Sequence, residues 1–405
     1  MKIGISIWMF VPGTGGLYKH AEDLALALKA CGHDVVVVTR YSTFLPSGRD
    51  FLFRDEVAEG NSRLGIDIRH IKLQRATGIL RWIILKTLHR RGFRAIALRL
   101  YRMIVERSAV ECYADCDVIH HAGQATALVG FAAHTAARKL KVPFLVQPTC
   151  HPFQFGDASM DHSLFTLADR LLVHTEYEAQ HFRNLGYKVP LKVVGNGIED
   201  RANGNVERFR NEYSIVGPIV LYVGRKDHDK GYSLVVEAFK LLREDIPEAN
   251  LVCMGPPGAC TADPMPHFLD LGFASEETKH DALAACTCLC VPSEGESFGL
   301  IFMEAGRYGK PVVARKLPVL EELLGRGEAG LLLESTAERD HHVSLSADDL
   351  SKGLVLILTS PDVSTRFGSN LKLISDNFIW NNVARRFEAA YLESLTNTKD
   401  AEVSR

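Results

Sequence analysis

Within Pro292–Lys310, which reads PSEGESFGLIFMEAGRYGK, Glu296 stands in a small polar loop and Glu304 follows eight residues later in a predicted helix. Carboxylates accept hydrogen bonds from hydroxyl groups, and one carboxylate spans a vicinal diol. The helix predicted from Gly299 through Arg307 has outward-pointing amide groups at its start, at Phe298, Gly299 and Leu300. Unpaired amides of that kind suit a phosphate or a sugar oxygen. Little side-chain bulk surrounds them, so a ligand can approach the main chain closely. Two acids beside an anion-friendly helix start call for a ligand carrying both phosphates and hydroxyls. A nucleotide sugar is such a ligand.

These residues need a scaffold, and the chain alternates strand-like runs with helical ones. In the first half Ile3–Trp8, Asp34–Thr39, Gly65–His70, Asp117–His121, Pro143–Gln147 and Arg170–His174 read as strands. Gly16–Cys31 has helical spacing, with Gly32 as its C-terminal cap. In the second half the strands are Pro218–Gly224, Asn250–Gly255, Phe268–Phe273, Cys286–Pro292, Pro311–Arg315 and Gly330–Leu333. Alternation without hairpin signals implies doubly wound parallel sheets, which bind ligands beyond the carboxyl ends of their strands. At 405 residues two domains are expected. They divide as 1–199 and 200–380, followed by a closing helix and polar tail over 381–405. The polar run Glu199–Glu212 reads as the connection, Asn381–Leu395 as the last helix, and Thr396–Arg405 as a frayed tail.

Composition narrows the class. A net charge of −2 makes nucleic acid an unsuitable default partner. The nine cysteines carry no metal spacing: Cys112 and Cys116 lack a second pair, and Cys286, Cys288 and Cys290 alternate like one face of a strand. An odd number of cysteines and a start that runs straight into a strand point to a reducing cytoplasm, and no apolar run reaches membrane-spanning length. Arg75–Arg107 departs from the rest, with nine Lys or Arg and one acid, Glu106. On a helix from Phe93, the side chains of Phe93, Ile96, Ala97, Leu100 and Ile104 share a face, and Arg94, Arg99 and Arg102 fall away from it. With Trp82 just upstream, this stretch reads either as a membrane-surface element or as a core-facing helix with a solvated basic back.

The run E-S-F-G-L-I-F-M-E-A-G-x-x-G-K-P-V-V-A around Glu296 and Glu304 resembles the E-x7-E signature of retaining glycosyltransferases, family 4, of the GT-B fold. Further segments carry the same resemblance, which extends from Lys2 to about Leu395. Gly224-Arg225 with Lys230-Gly231 is similar to the family's G-R-x4-K-G element, with Lys226 where a leucine is usual. Gly13-Thr14-Gly15-Gly16 is similar to its first glycine loop; it is not the dinucleotide fingerprint, which would need glycine at Tyr18. Thr149-Cys150-His151 ends a strand where relatives carry a donor-lining histidine; His120, His121 and His162 fit that place less well. Asn196-Gly197-Ile198-Glu199 resembles N-G-V-D at the end of the first domain, with Glu for Asp.

The resemblance implies two Rossmann-like domains facing a cleft, with a C-terminal helix crossing back to the first. It implies a nucleoside diphosphate sugar as donor, a carbohydrate or lipid-linked acceptor such as a cell-surface polysaccharide or glycolipid precursor, and no metal or other cofactor. Arg225 and Lys230 would hold the diphosphate, since fixed cations stabilise the charge a leaving group gains. Glu304 would bind the ribose, Glu296 with the Phe298–Leu300 amides the donor sugar, and His151 that sugar from the first domain. Gly15 and Gly16 would approach the donor phosphate, Gly255 the nucleotide, and Phe273 the base. His20 reads as structural. Two other readings stay open: a nucleotide-sugar epimerase of the same fold, and a non-catalytic membrane-surface protein that kept it.

Overall fold

The computed structural model describes residues 1–10, 16–40, 62–73, 78–88, 90, 92–125, 128–154, 156–325, 328–334, 337–339 and 342–403. The chain divides into two units: Met1–Gly197 with Trp380–Arg405, and Ile198–Ile379.

The first unit is built on strands β1 (Lys2–Ser6), β2 (Asp34–Thr39), β3 (Ser62–Arg63), β4 (Ile66–His70), β5 (Val118–Ala122), β6 (Phe144–Gln147), β7 (Arg170–Val173) and β8 (Leu191–Val193). They lie in the order β3-β4-β2-β1-β5-β6-β7-β8, parallel apart from the β3–β4 pair. Ile5 is flanked by Val37 on one side and His120 on the other, so the chain turns outward in both directions from β1. The four valines of β2 are buried, as expected for a strand covered on both faces. Helices α1 (Gly16–Ala30), α2 (Gly78–Thr87), α3 (Arg94–Tyr113), α4 (Val129–Leu140), α5 (Ser159–Phe165) and α6 (Glu176–Asn184) cover the sheet.

The second unit repeats the plan with β9 (Ile219–Val223), β10 (Asn250–Met254), β11 (Phe268–Asp270), β12 (Cys288–Cys290), β13 (Val312–Arg315) and β14 (Leu331–Leu333). Their order is β11-β10-β9-β12-β13-β14 and every pairing is parallel. The chain reverses direction between β9 and β12, the switch point at which sheets of this type bind ligands. The helices are α7 (Val206–Glu212), α8 (Tyr232–Asp245), α9 (Glu276–Ala285), α10 (Leu300–Arg307), α11 (Pro318–Leu323), α12 (Ala347–Thr359) and α13 (Pro361–Ser375). A short hairpin, β15 (Ala337–Arg339) with β16 (His342–Ser344), follows β14. The chain returns to the first unit as α14 (Trp380–Val403), where Tyr391 bonds His120 Nδ1 at 2.9 Å.

Several expectations are corrected. Glu199–Glu212 is not merely a connection: α7 begins at Val206, buries Phe209 and ties Arg208 to Asp281 at 2.5 Å. Thr396–Val403 continues α14 and is not a separate tail, and residues 404–405 lie outside the described residues. The buried stripe of α3 is Ala97, Leu98, Tyr101, Ile104, Val105, Ala109 and Cys112, whereas Phe93 and Ile96 are exposed. Arg94 and Arg102 are not a solvated back. Arg94 donates to Ser159 O at 3.0 Å, and the Arg102 guanidinium lies 5.7 Å from the centre of the Phe131 ring. Arg99 is exposed.

Histidines fill much of the first unit's polar interior. Burial pushes His121 and His134 down to about 4 and His174 to about 3. Their folded values lie below the ordinary 6.5, so stability is fully present above pH 6.5 and is lost as pH falls toward 4, where the unfolded chain takes up protons first. Each histidine adds a slope of up to about 1.4 kcal/mol per pH unit in that window. The melting temperature should therefore drop between pH 6.5 and 4.5, and His134→Gln should flatten the dependence. A melting temperature unchanged across that range would refute it.

Candidate functional site

In the second unit the residues singled out by sequence gather at the carboxyl ends of the strands. β9 ends at Val223 and leads through Gly224 and Arg225 into the one-turn helix His228–Lys230. Gly231 closes that turn at φ 71°, and a β-carbon there would come within 2.7 Å of Pro292, the residue opening the loop after β12. The two loops therefore touch across the switch point. Glu294 N–H donates to Asp229 O at 2.8 Å, and Lys230 Nζ donates to Glu296 Oε1 at 2.8 Å and to Gly295 O at 3.3 Å. The Lys230 and Glu296 side chains are only 20% and 13% exposed. An ion pair so shielded from solvent is held more firmly than a surface pair.

Arg225 stands in the same loop but is 55% exposed, and its guanidinium is engaged by Asp227 and by Asp229 Oδ2, the latter at 2.9 Å. The Tyr222 hydroxyl donates to Arg225 O at 2.6 Å and fixes the backbone beneath it. Glu304 is likewise paired, with Lys279 Nζ of α9 at 3.2 Å from Oε1 and 3.1 Å from Oε2. Burial disfavours the Lys279 charge, but Glu304 and Glu276 outweigh it and raise the ammonium above its ordinary range. The sequence reading missed Asp227, Asp229 and Lys279. The two aspartates could have been found, since they sit inside the G-R-x4-K-G segment; nothing local marks Lys279.

Helix α10 starts at Leu300, one residue later than expected, with Gly299 as its cap at φ 82°. The Phe298 side chain belongs to the core, edge-on to Phe378 at 5.0 Å, so any ligand contact there falls to its backbone. Gly255 touches Gly224 and donates its N–H to Gly272 O at 2.7 Å, which joins the ends of β9, β10 and β11. Phe273 beyond β11 is 75% exposed. Lys226, where a leucine was expected, is buried and paired with Asp270 at 2.5 Å, so it ties the loop to β11. A concavity of about 440 Å³ lined by Tyr213, Val216, Asn250, His267 and Phe268 opens at the opposite, amino ends of β10 and β11.

In the first unit, Gly15 lies outside the described residues, and Gly16 opens α1 with open space where a β-carbon would stand. His151 follows buried Cys150 beyond β6 and is partly buried. His20 is an interior residue, with Nδ1 2.6 Å from Asn196 Oδ1 and Nε2 2.8 Å from Gln147 Oε1. His120 and His121 are buried too, and His162 meets Tyr187 and Asp157.

Two family models match the chain. The one described as "Glycosyl transferases group 1" covers residues 206–372, and the "Glycosyl transferase 4-like domain" covers residues 15–197. Among curated proteins, the D-inositol 3-phosphate glycosyltransferase of Corynebacterium efficiens is 32% identical over 260 residues, 59% of this chain and 57% of that protein. The chain thus matches less than two thirds of that relative's length. Among solved structures, sucrose-phosphate synthase from Thermosynechococcus elongatus aligns with a TM-score of 0.71 at 18% identity, over 98% of this chain and 99% of that one. HepE of Anabaena, solved in complex with UDP, aligns with a TM-score of 0.71 at 16% identity, over 97% of this chain and 100% of that one. At such identities the likeness speaks for the fold, which is GT-B. With one model on each unit, the chain belongs to the group 1 glycosyl transferases with a glycosyl transferase 4-like first domain.

Proposed function

We propose that the protein transfers a sugar from a nucleoside diphosphate sugar to a carbohydrate or lipid-linked acceptor, with retention at the anomeric carbon and without a metal in the transfer step. The observation that carries this reading is the Lys230–Glu296 pair across the switch point of the second sheet, a cation for the diphosphate beside a carboxylate for the sugar hydroxyls. Arg225 would leave its aspartates to meet the diphosphate, Glu304 would take the ribose, and His151 would touch the donor sugar. In the reaction the anomeric C–O bond to the diphosphate breaks and the acceptor oxygen bonds the same face. The acceptor proton passes to the departing phosphate oxygen. HepE is solved with UDP, which favours a uridine donor as the first to try.

Thermal melting with a panel of nucleoside diphosphates and their sugars tests the donor class, because a ligand bound by the folded state raises the melting temperature by RT ln(1 + [L]/Kd). One nucleoside diphosphate should stand out, and its sugar form should turn over in the presence of chelator. A free epimerised nucleotide sugar, or no turnover with any acceptor, would favour the epimerase or the non-catalytic reading.

We also propose that α2 and the start of α3 rest on an anionic membrane surface. Ile79, Trp82, Phe93 and Ile96 are exposed there beside exposed Lys86, Arg90 and Arg99. No helix among the described residues is long and apolar enough to cross a membrane, so contact would be at the surface. Each basic residue near an anionic surface adds about 1 kcal/mol. Trp82 emission should shift to the blue with vesicles containing phosphatidylserine, not with neutral ones, and Lys86, Arg90 and Arg99 changed to Glu should abolish the shift. Equal response to neutral vesicles would remove the electrostatic part, and no response the whole proposal.

A further inference from the structure

A cluster of unlike donor groups lies in the first unit, where three separate segments converge. Cys150 stands just beyond β6, Asp157 just ahead of α5, and His181 on α6. Their sulfur, carboxylate oxygen and imidazole nitrogen atoms all lie within 4.8 Å of one another. His181 Nε2 is 3.0 Å from the Asp157 carboxylate, and the Cys150 and His181 side chains are buried. None of these residues takes part in the proposed transfer.

The surroundings hold the donors in place. Asp157 Oδ2 accepts from Phe153 N–H at 2.7 Å, and the Phe153 ring stands edge-on to His181 at 4.7 Å. Cys150 N–H donates to Glu178 Oε1 at 3.2 Å. On the outer side His162 directs Nε2 at Asp157 Oδ1 from 3.1 Å, and its Nδ1 is fixed 2.6 Å from the Tyr187 hydroxyl. Carboxylates and imidazoles oriented by outer partners in this way are usual around bound metals.

From this geometry we propose that Cys150, Asp157 and His181 bind one zinc ion, with His162 as the outer partner of Asp157. A thiolate, an imidazole and a carboxylate together are a borderline-soft donor set that suits Zn(II) better than the oxygen-preferring Mg(II) or Ca(II). Bonds of about 2.0–2.3 Å in a tetrahedron put donors roughly 3.3–3.7 Å apart, so donors already within 4.8 Å need only a small inward movement. Three protein ligands leave a fourth position for water. Thiolate is the form of cysteine that binds zinc, so the thiol proton of Cys150 is released to solvent as the Zn–S bond forms. The consequence for the fold is a clamp on the loop that carries His151, directly after Cys150.

The test uses the full-length protein stripped with chelator and reloaded. Titration with Co(II) should give a thiolate-to-cobalt charge-transfer band at one ion per chain, and Zn(II) should displace the cobalt. Competition against a chromogenic chelator should show Zn(II) bound at least 100-fold more weakly in Cys150→Ser and in His181→Gln, and unchanged in Cys31→Ser. Asp157→Asn, which keeps the shape of the side chain, guards against misfolding: it should remain folded by circular dichroism and still lose affinity. Hydrogen exchange should slow around Cys150–Phe153 when zinc is added. A missing charge-transfer band, or the same zinc affinity in wild type and all three ligand variants, would overturn the site. In that event Asp157 is simply shared between two histidines, and any zinc found is adventitious.

Discussion

Lys230→Ala should lower kcat/KM by about 10²-fold or more, the range found when a positioned charge-stabilising group is removed. The structure gives this loss two sources. Lys230 is a shielded cation at the switch point, and it neutralises Glu296, which is only 13% exposed. Without it the carboxylate is left poorly solvated and uncompensated, a cost of about 1–3 kcal/mol that falls on loop order as well as on chemistry. Lys230→Met combined with Glu296→Gln separates these contributions. The double variant should recover melting temperature, and its turnover is compared with that of Glu296→Gln alone. A further loss of kcat/KM on adding Lys230→Met means that Lys230 acts on the diphosphate; no further loss means that the lysine serves only to hold Glu296. Arg225→Ala should also lower turnover but leave the melting temperature near wild type, since the Arg225 side chain is 55% exposed and its partner Asp229 54%. Normal kcat/KM in both single variants would remove the diphosphate role altogether.

That test depends on contacts that only the folded chain discloses. Strand positions were largely legible, because runs such as Asp34–Thr39 are β-branched and bounded by polar residues, and that strand has the predicted limits. Cys286–Pro292 shrinks to Cys288–Cys290 because its ends bend into loops. Leu191–Val193 was not legible at all: two half-covered residues and an exposed one at the sheet edge give no periodic signal. On α3 the reading placed Ala97 and Ile104 on the buried face but weighted the bulky Phe93 and Ile96 with them, whereas the rest of the buried stripe is built partly from Tyr101, Ala109 and Cys112, which carry little weight in a hydrophobic pattern. Within the candidate site, residue types and spacing pointed to Glu296 and Glu304, and the family resemblance added Arg225 and Lys230. Their partners were another matter. Lys279 lies 25 positions from Glu304 and meets it only through the packing of α9 beside α10. Cys150, Asp157 and His181 follow no ligand spacing and converge only because β6, α5 and α6 are neighbours in the fold.

Gly255→Ala should be among the most damaging single-methyl changes in the second unit. At φ 137° the residue occupies a conformation that side chains rarely adopt, and the added carbon would lie 2.0 Å from Gly224 O. Backbone strain of that kind costs about 1–3 kcal/mol, and forcing atoms into a packed contact about as much again. The oxygen is main chain, so no rotamer change can relieve the clash; β10 must move away from the end of β9. Two bonds register that movement, Gly255 N–H to Gly272 O at 2.7 Å and Gly224 N–H to Met254 O at 2.9 Å. Loss of either shifts Arg225, the residue after Gly224, or loosens the β11 end that carries Phe273. Gly272→Ala is the comparison. Its φ is also positive, at 59°, but nothing lies within 4 Å of its added carbon, so only the conformational cost applies. The melting temperature should therefore fall further for Gly255→Ala than for Gly272→Ala, and nucleoside diphosphate should protect the former less. Equal, small shifts in the two variants would mean that the β9–β10 contact yields easily and does not position the diphosphate loop.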